Sequence, residues 1–203
     1  MIKFESVYLK RNDKELFSGL DFFVQKNEKV LIQGKSGIGK TTLFKILLGF
    51  ETIDKGRVSF NNFDIIKEHI KDIRHQIFYL SQDIDFKDGK VGGLLDEIWE
   101  HNLLKNQDKA RFTDLLNFLD LSDKILDQTV KELSGGERQR IGLFICFLLD
   151  RPVWLLDEPT SALDDIMKKK ITDYILDQEK TIIIISHDNT WKKNNKVKIE
   201  RWL

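Results

Sequence analysis

The fold of this chain is decided by the stretch Leu133-Ser134-Gly135-Gly136-Glu137-Arg138-Gln139-Arg140, taken together with one stretch before it and one after it. The earlier stretch, Gly34-Lys35-Ser36-Gly37-Ile38-Gly39-Lys40-Thr41, fits the pattern G-x-x-x-x-G-K-[ST] of a phosphate-binding loop. The later stretch, Val153-Trp154-Leu155-Leu156-Asp157-Glu158, is an apolar strand that ends in two acidic residues. Because the acidic pair follows on the same chain, a plain glycine-rich turn becomes a poor explanation of the phosphate-binding pattern.

The composition favours a charged, well-solvated surface. Lys and Arg total 33 and Asp and Glu total 33, so no charge imbalance argues for nucleic acid or an acidic membrane surface as a partner. The single cysteine, Cys146, lies in the apolar run 143–149 and is predicted to be a core thiol. No run approaches the roughly 18 apolar residues of a membrane span, and the N-terminus has no signal-peptide core. We therefore predict a cytoplasmic protein, in which any membrane work needs another polypeptide.

The apolar patterns predict one α/β domain. Residues 2–25 alternate around the turn Arg11-Asn12-Asp13-Lys14, which predicts two antiparallel strands. A helical spacing without a strand candidate predicts an inserted helical segment at 92–131, and the basic stretch 192–198 is predicted to be a surface turn. Near-continuous apolar runs predict parallel strands buried on both faces at 29–33, 77–81, 154–157 and 181–186, beside a short strand at 57–60.

The glycine-rich loop carries the first piece of chemistry. It joins a predicted strand to a predicted helix, so backbone N–H groups can converge on phosphate oxygens at the positive end of the helix. Lys40 would neutralise the β- and γ-phosphates, and the Thr41 hydroxyl would bind Mg²⁺. The alternative is a glycine-rich turn with an exposed lysine.

The acidic pair Asp157-Glu158 is the second pattern that predicts a chemical role. Asp157 ends a buried strand, where a carboxylate is costly unless a metal at the carboxyl end of the sheet compensates it. Glu158, one residue further, can accept a proton from an attacking water. The alternative is two acids in a solvated turn before Pro159.

The stretch 133–140 contains a Ser followed three residues later by a Glu, which is typical of a capping box at a helix start. A capped helix start that carries glycines is also an anion-binding site. Ser134, Gly135 and Gly136 are therefore candidate phosphate contacts.

Together the three stretches resemble the ATP-binding cassette (ABC) ATPases, and the resemblance covers nearly the whole chain. It implies an α/β fold: a P-loop NTPase core with a mostly parallel sheet flanked by helices, an N-terminal antiparallel β subdomain (1–28 and 56–60) and an inserted α-helical subdomain (about 86–131). It also implies ATP and Mg²⁺ as ligands. ATP would be bound by the loop residues Gly34, Lys35, Ser36, Gly37, Ile38, Gly39, Lys40, Thr41 and Thr42.

The resemblance implies a role for further single residues. Asp157, Thr41 and Gln82 would bind Mg²⁺, Glu158 would be the general base, and His187 would contact the γ-phosphate. Lys40, Gln82, Glu158 and His187 would thus be the catalytic set. Ser134, Gly135 and Gly136 would contact ATP held by a second subunit. Asp164 would cross the dimer interface, although without the resemblance it would be interpreted as a helix N-cap.

One position departs from the family pattern, which usually has an aromatic residue that stacks on adenine before the first hairpin turn. Arg11 stands there, with Tyr8 three residues earlier. A guanidinium can stack on a base, so Arg11 is a candidate adenine contact, and the base selectivity should be looser.

The resemblance implies the ATP-hydrolysing motor subunit of a membrane transporter, acting as a homodimer or with a second ABC subunit and driving separate transmembrane permease subunits. It would lie on the inner face of the cell membrane through that partner. The alternative is a non-transport ABC ATPase, such as an iron–sulfur scaffold ATPase or a cell-division regulator. A binding module without turnover is disfavoured, because Lys40, Gln82, Glu158 and His187 are all present.

Overall fold

The computed structural model of the chain describes residues 1–12, 14–102, 109–193 and 195–202. The strands are β1 (Ile2–Arg11), β2 (Lys14–Val24), β3 (Lys29–Gly34), β4 (Lys55–Phe60), β5 (Phe63–Asp64), β6 (Ile77–Leu80), β7 (Val153–Asp157), β8 (Thr181–Ile185) and β9 (Lys198–Trp202). The α-helices are α1 (Lys40–Leu47), α2 (Ile70–Gln76), α3 (Val91–His101), α4 (Lys109–Phe118), α5 (Gly135–Leu149) and α6 (Asp165–Asp177). Short 3₁₀ helices cover Asp123–Asp127, Val130–Glu132 and Asn189–Lys193.

The strands form two sheets. One has the order β2-β1-β4-β5 and is antiparallel, and the other has the order β6-β7-β8-β3-β9 and is parallel. The predicted fold class, α/β with a parallel sheet, an antiparallel sheet and helices, is therefore confirmed. The first hairpin pairs Arg11 with Lys14, as the alternating pattern predicts. Asp13, inside that predicted turn, lies outside the described residues.

The parallel sheet separates two apolar cores. Its residues contribute alternately: Leu31, Trp154 and Ile182 pack into the core shared with α5 and α6, whereas Val30, Leu155 and Ile183 pack into the core shared with β1, β2 and α1. These strands are buried on both faces, which is why their sequences are continuously apolar rather than alternating.

Two strands were not predicted. β5 has only two residues, and β9 begins at Lys198, the last residue of the stretch predicted to be a surface turn. β9 pairs in parallel with β3 at the edge of the sheet. Its exposed and half-buried side chains alternate weakly, so the sequence shows no strand signal there, and that part of the surface-turn prediction is wrong.

The segment between β6 and β7 is helical where it is described. α3, α4 and two 3₁₀ helices precede α5, and within the described ranges an isolated bridge between Lys90 and Thr129 is the one β-type pairing there. None of the helices in the described part of the chain has the length and apolar character needed to cross a membrane.

Candidate functional site

The glycine-rich loop connects the end of β3 to the start of α1. Gly37 and Gly39 have φ angles of 74° and 106°, a region that L side chains rarely adopt. A Cβ atom on Gly39 would lie 2.9 Å from Cε1 of Phe17 in β2. The loop therefore needs glycine at Gly39 for two reasons, its backbone conformation and the close approach of Phe17.

Lys40 is the first residue of α1 and is only 8% exposed. Its ammonium donates hydrogen bonds to the carbonyl oxygens of Gly34, at 2.7 Å, and Lys35, at 2.9 Å. The side chain thus runs back along the loop, and its charge is fixed inside the curve that the loop backbone forms.

Thr41 and Asp157 bring two oxygen ligands together from distant parts of the sequence. The Thr41 hydroxyl donates a hydrogen bond of 2.6 Å to Oδ2 of Asp157, which is 2% exposed at the end of β7. Burial raises the pKa of the Asp157 carboxyl, and the hydrogen bond from Thr41 opposes this shift. A hydroxyl beside a buried carboxylate is the oxygen-only ligand set that suits Mg²⁺.

Glu158 follows Asp157 in a left-handed conformation, with φ of 49°. Its backbone N–H donates to the carbonyl of Ile185 in β8, at 2.8 Å. Its carboxylate accepts hydrogen bonds from the Ser186 hydroxyl, at 3.0 Å, and from the His187 backbone N–H, at 3.1 Å. The imidazole Nε2 of His187 lies 4.0 Å from Oε1 of Glu158. The carboxylate is thus held beside the end of β8.

These residues share one cleft of about 410 Å³. The predicted ligands Thr41, Asp157 and Gln82 and the predicted catalytic residues Lys40, Glu158 and His187 all line it. The other lining residues are Leu16, Ser36, Gly37, Gly39, Thr42, Ser161 and Ile185. The fold therefore brings together residues from β2, the loop, the end of β6 and the ends of β7 and β8.

The predicted capping box is present at the start of α5. The Glu137 N–H donates to the Ser134 hydroxyl oxygen at 3.2 Å, and the Ser134 N–H donates to the Glu137 carboxylate at 2.9 Å. Gly135 lines a second cleft, of about 280 Å³, which shares Gln82 and Ser161 with the first. Neither Ser134 nor Gly136 lines the first cleft.

Asp164 caps the start of α6. Its carboxylate accepts hydrogen bonds of 3.0 Å from the backbone N–H groups of Ile166 and Met167, and these bonds, that from Met167 most of all, lower the pKa of the carboxyl. Asp164 does not line the first cleft. Its predicted contact across a dimer interface stays a prediction.

Arg11 is not among the lining residues of the first cleft. Its guanidinium contacts the Glu51 carboxylate through Nε, at 3.0 Å, and through a second nitrogen, and it donates to the Thr52 carbonyl at 2.7 Å. These bonds use the edge of the guanidinium. The predicted stacking of its face on a base stays a prediction.

Several residues of the site were missed by sequence reasoning. Leu16 and Ser161 line the cleft, Ser186 binds the Glu158 carboxylate, and Gln139 binds the Glu158 carbonyl. Gln139 lies between Arg138 and Arg140 in the polar first part of α5, so the sequence gives no signal that its side chain is buried.

Known proteins are similar to this chain in sequence. The family model described as "ABC transporter" matches residues 17–161. The chain is 31% identical over 194 residues to "Probable iron export ATP-binding protein FetA" of Escherichia coli (strain K12), covering 93% of this chain and 85% of that protein. It is 29% identical over 208 residues to "Probable ABC transporter ATP-binding protein p29" of Mycoplasma pneumoniae, covering 93% and 82%. It spans only 32% of the "ATP-dependent lipid A-core flippase" of Idiomarina loihiensis, with 30% identity over 188 residues.

Solved structures share the fold. A dimeric ATP-binding cassette in a post-hydrolysis state, bound to ADP and Pi, superposes with a TM-score of 0.82 at 21% identity, covering 98% of this chain and 94% of that one. A bacterial Atm1-family ABC exporter with ATP bound superposes with a TM-score of 0.83 at 24% identity, covering 100% of this chain and 38% of that one. The family match, the relatives and the fold agree: the chain belongs to the ABC transporter family, as a nucleotide-binding subunit with an ABC ATPase fold.

Proposed function

We propose that this chain binds Mg-ATP in the 410 Å³ cleft and hydrolyses it, as the motor subunit of an ABC transporter. The observation that carries the proposal is that one cleft gathers a phosphate-binding loop with its lysine, the buried Asp157 hydrogen-bonded to Thr41, and a Glu158 carboxylate held by two donors. ATP phosphates would lie against the loop, where Lys40 supplies the cation.

The Thr41 hydroxyl and the Asp157 carboxylate would hold Mg²⁺, with Gln82 on the same cleft as a further oxygen ligand. Mg²⁺ bound there would neutralise charge that develops on the phosphate oxygens. The raised pKa of Asp157 fits this role, because a buried carboxylate that is costly by itself is compensated by a cation.

Glu158 would act as the general base. Its carboxylate would accept a proton from the attacking water as the new P–O bond forms and the bond to the ADP oxygen breaks. The Ser186 hydroxyl and the His187 N–H, which donate to this carboxylate, would fix its direction. The His187 ring lines the same cleft and is 64% exposed, so it would be accessible to a γ-phosphate.

The test is Glu158→Gln, which keeps the shape of the side chain and removes the base. We expect Mg-ATP to bind with unchanged affinity and turnover to fall about 10²–10⁴-fold, the range for a general base. Glu179→Gln, at an exposed glutamate outside the cleft, is the matched control and should retain parental turnover. Normal turnover by Glu158→Gln would rule out the base assignment.

We further propose that two copies enclose ATP between them. The support is that Ser134 and Gly136 do not line the cleft of their own chain, although a glycine-containing, capped helix start is suited to phosphate. Ser134 and Gly136 would then contact ATP that is held by a second copy of this chain or by a second ABC subunit. Glu158→Gln should accumulate as a dimer in Mg-ATP and stay monomeric in ADP, measured by light scattering after size exclusion. A monomer at saturating ATP would contradict the dimer.

Coupling to separate transmembrane permease subunits, and with it a place on the inner face of the membrane, is the third part of the proposal. It is supported by the family match and by the transport functions in the names of the relatives. The test is co-purification with a polytopic membrane protein from the source cell, followed by reconstitution in vesicles. Stimulation of ATPase activity by that protein is expected. A partner that is a soluble assembly factor would favour the non-transport alternative.

A further inference from the structure

Gln139 is a buried polar residue, 3% exposed, in the first half of α5. Both ends of its amide contact the turn 158–162. Nε2 donates to the Glu158 carbonyl oxygen at 2.9 Å, and Oε1 accepts from the Ala162 N–H at 3.1 Å and from the Ser161 hydroxyl at 3.3 Å. One side chain therefore connects both ends of that turn to a helix that lies far from it in the sequence.

The turn has a conformation that needs support. Glu158 is not glycine, yet its φ is 49°, a region that a residue with a Cβ adopts at a cost. Within the turn, the Ser161 N–H donates to the Glu158 carbonyl at 3.2 Å, and the single Ser161 hydroxyl proton is shared between that carbonyl, at 3.1 Å, and Gln139 Oε1. The bond from Gln139 differs from these two, because it comes from another element and fixes the turn relative to α5.

We propose that Gln139 is a positioning residue for Glu158. Its amide holds the Glu158 backbone in the left-handed conformation, and that conformation directs the carboxylate to Ser186 and His187. The proposal rests on the proposed function, in which Glu158 is the general base. Gln139 itself does not line the ATP cleft, so its loss should change the rate of the chemical step and leave ATP affinity unchanged.

The first experiment compares Gln139→Met and Gln139→Glu with the parent. Met keeps the length and bulk of the side chain without its hydrogen bonds, and Glu keeps the acceptor toward Ala162 but loses the donor to the Glu158 carbonyl. Both variants should lower kcat about 10–100-fold, the scale for a misplaced catalytic group, with KM for ATP within twofold of the parent. If Gln139→Met does not fold, Gln139→Glu carries the same test.

Gln178→Leu is the matched control, since the Gln178 side chain donates to the Tyr174 carbonyl at 3.0 Å at the end of α6 and does not line the cleft. It should retain parental kcat. Parental kcat in both Gln139 variants, or a rise in KM equal to the fall in kcat, would overturn the proposal.

The second experiment is a double-mutant cycle with Glu158→Gln, measured by single-turnover hydrolysis. If Gln139 acts through Glu158, Gln139→Met should cause no further loss once the base is absent. An equal loss in both backgrounds would mean that Gln139 acts elsewhere, and would overturn the proposal. Full activity of Glu158→Gln alone would instead overturn the base assignment, so the two failures are distinguishable.

Discussion

Replacing Gly39 with alanine tests how closely the fold constrains the phosphate loop. At φ of 106° an added Cβ introduces backbone strain of about 1–3 kcal/mol. The same Cβ would lie 2.9 Å from Cε1 and 3.2 Å from Cζ of Phe17, and overpacking of this kind costs about 1–3 kcal/mol. The combined cost is therefore about 2–6 kcal/mol.

This cost can appear in two measurements. If the loop keeps its conformation, the free energy of unfolding falls. If the loop relaxes, the protein stays stable but ATP has to restore the loop shape on binding, and 2 kcal/mol then corresponds to roughly 30-fold weaker affinity. Thermal or urea denaturation and ATP titration should together account for at least 2 kcal/mol, since each kcal/mol lowers the Tm by about 2–4 °C in a protein of this size.

Two other glycines provide internal comparisons. Gly37→Ala adds strain at φ of 74° but its Cβ meets only the flexible Lys14 ammonium, at 3.4 Å, so a smaller loss is expected. Gly93→Ala lies in the first turn of α3 with open space around the new Cβ, and should stabilise the protein by up to about 1 kcal/mol, the upper value being that of a helix interior. Equal effects in all three variants, or a summed loss below about 2 kcal/mol for Gly39→Ala, would refute the reasoning.

Three further predictions concern charged residues of the chain. Lys40→Ala should abolish ATP turnover, whereas the exposed Lys26→Ala should not; an ATPase rate within a few-fold of the parent would contradict the phosphate-loop assignment. Burial raises the pKa of Asp157 above 3.8, so the folded state keeps this proton to higher pH and loses stability as the pH rises through the raised value. Asp157→Asn should therefore stabilise the protein at neutral pH and flatten this part of the pH–stability curve, while Mg-dependent hydrolysis is lost. Arg11→Ala should weaken ATP binding several-fold, and Arg11→Tyr should restore it. Unchanged ATP affinity in both variants would mean that the adenine ring is bound elsewhere.

The sequence was sufficient for features encoded locally. Three of these features are short patterns, each with one physical explanation. They are the loop glycines, the capping box of Ser134 and Glu137, and the acid that ends a continuously apolar strand. The same holds for the first hairpin, whose alternation and turn are adjacent in the chain.

Features that depend on distant pairing could not be predicted in this way. Arg11 finds its partners 40 and 41 residues away at Glu51 and Thr52, and Gln139 finds Glu158 on another element. β9 forms a strand because its backbone pairs in parallel with β3. Local sequence patterns do not reveal which distant strand, carbonyl or carboxylate a residue will pair with, so these contacts are visible only in the structure.

The alternation of the parallel strands between two cores has a consequence for how the protein unfolds. Ile182 and Ile183 are neighbours in β8, yet one belongs to the core beneath α5 and α6 and the other to the core beneath β1 and β2. Neither layer can separate from the sheet without exposing fully buried isoleucines on that face. Melting of the helical layer and of the antiparallel layer is therefore expected to be concerted, with a single denaturation midpoint for tryptophans on opposite faces, such as Trp154 and Trp202.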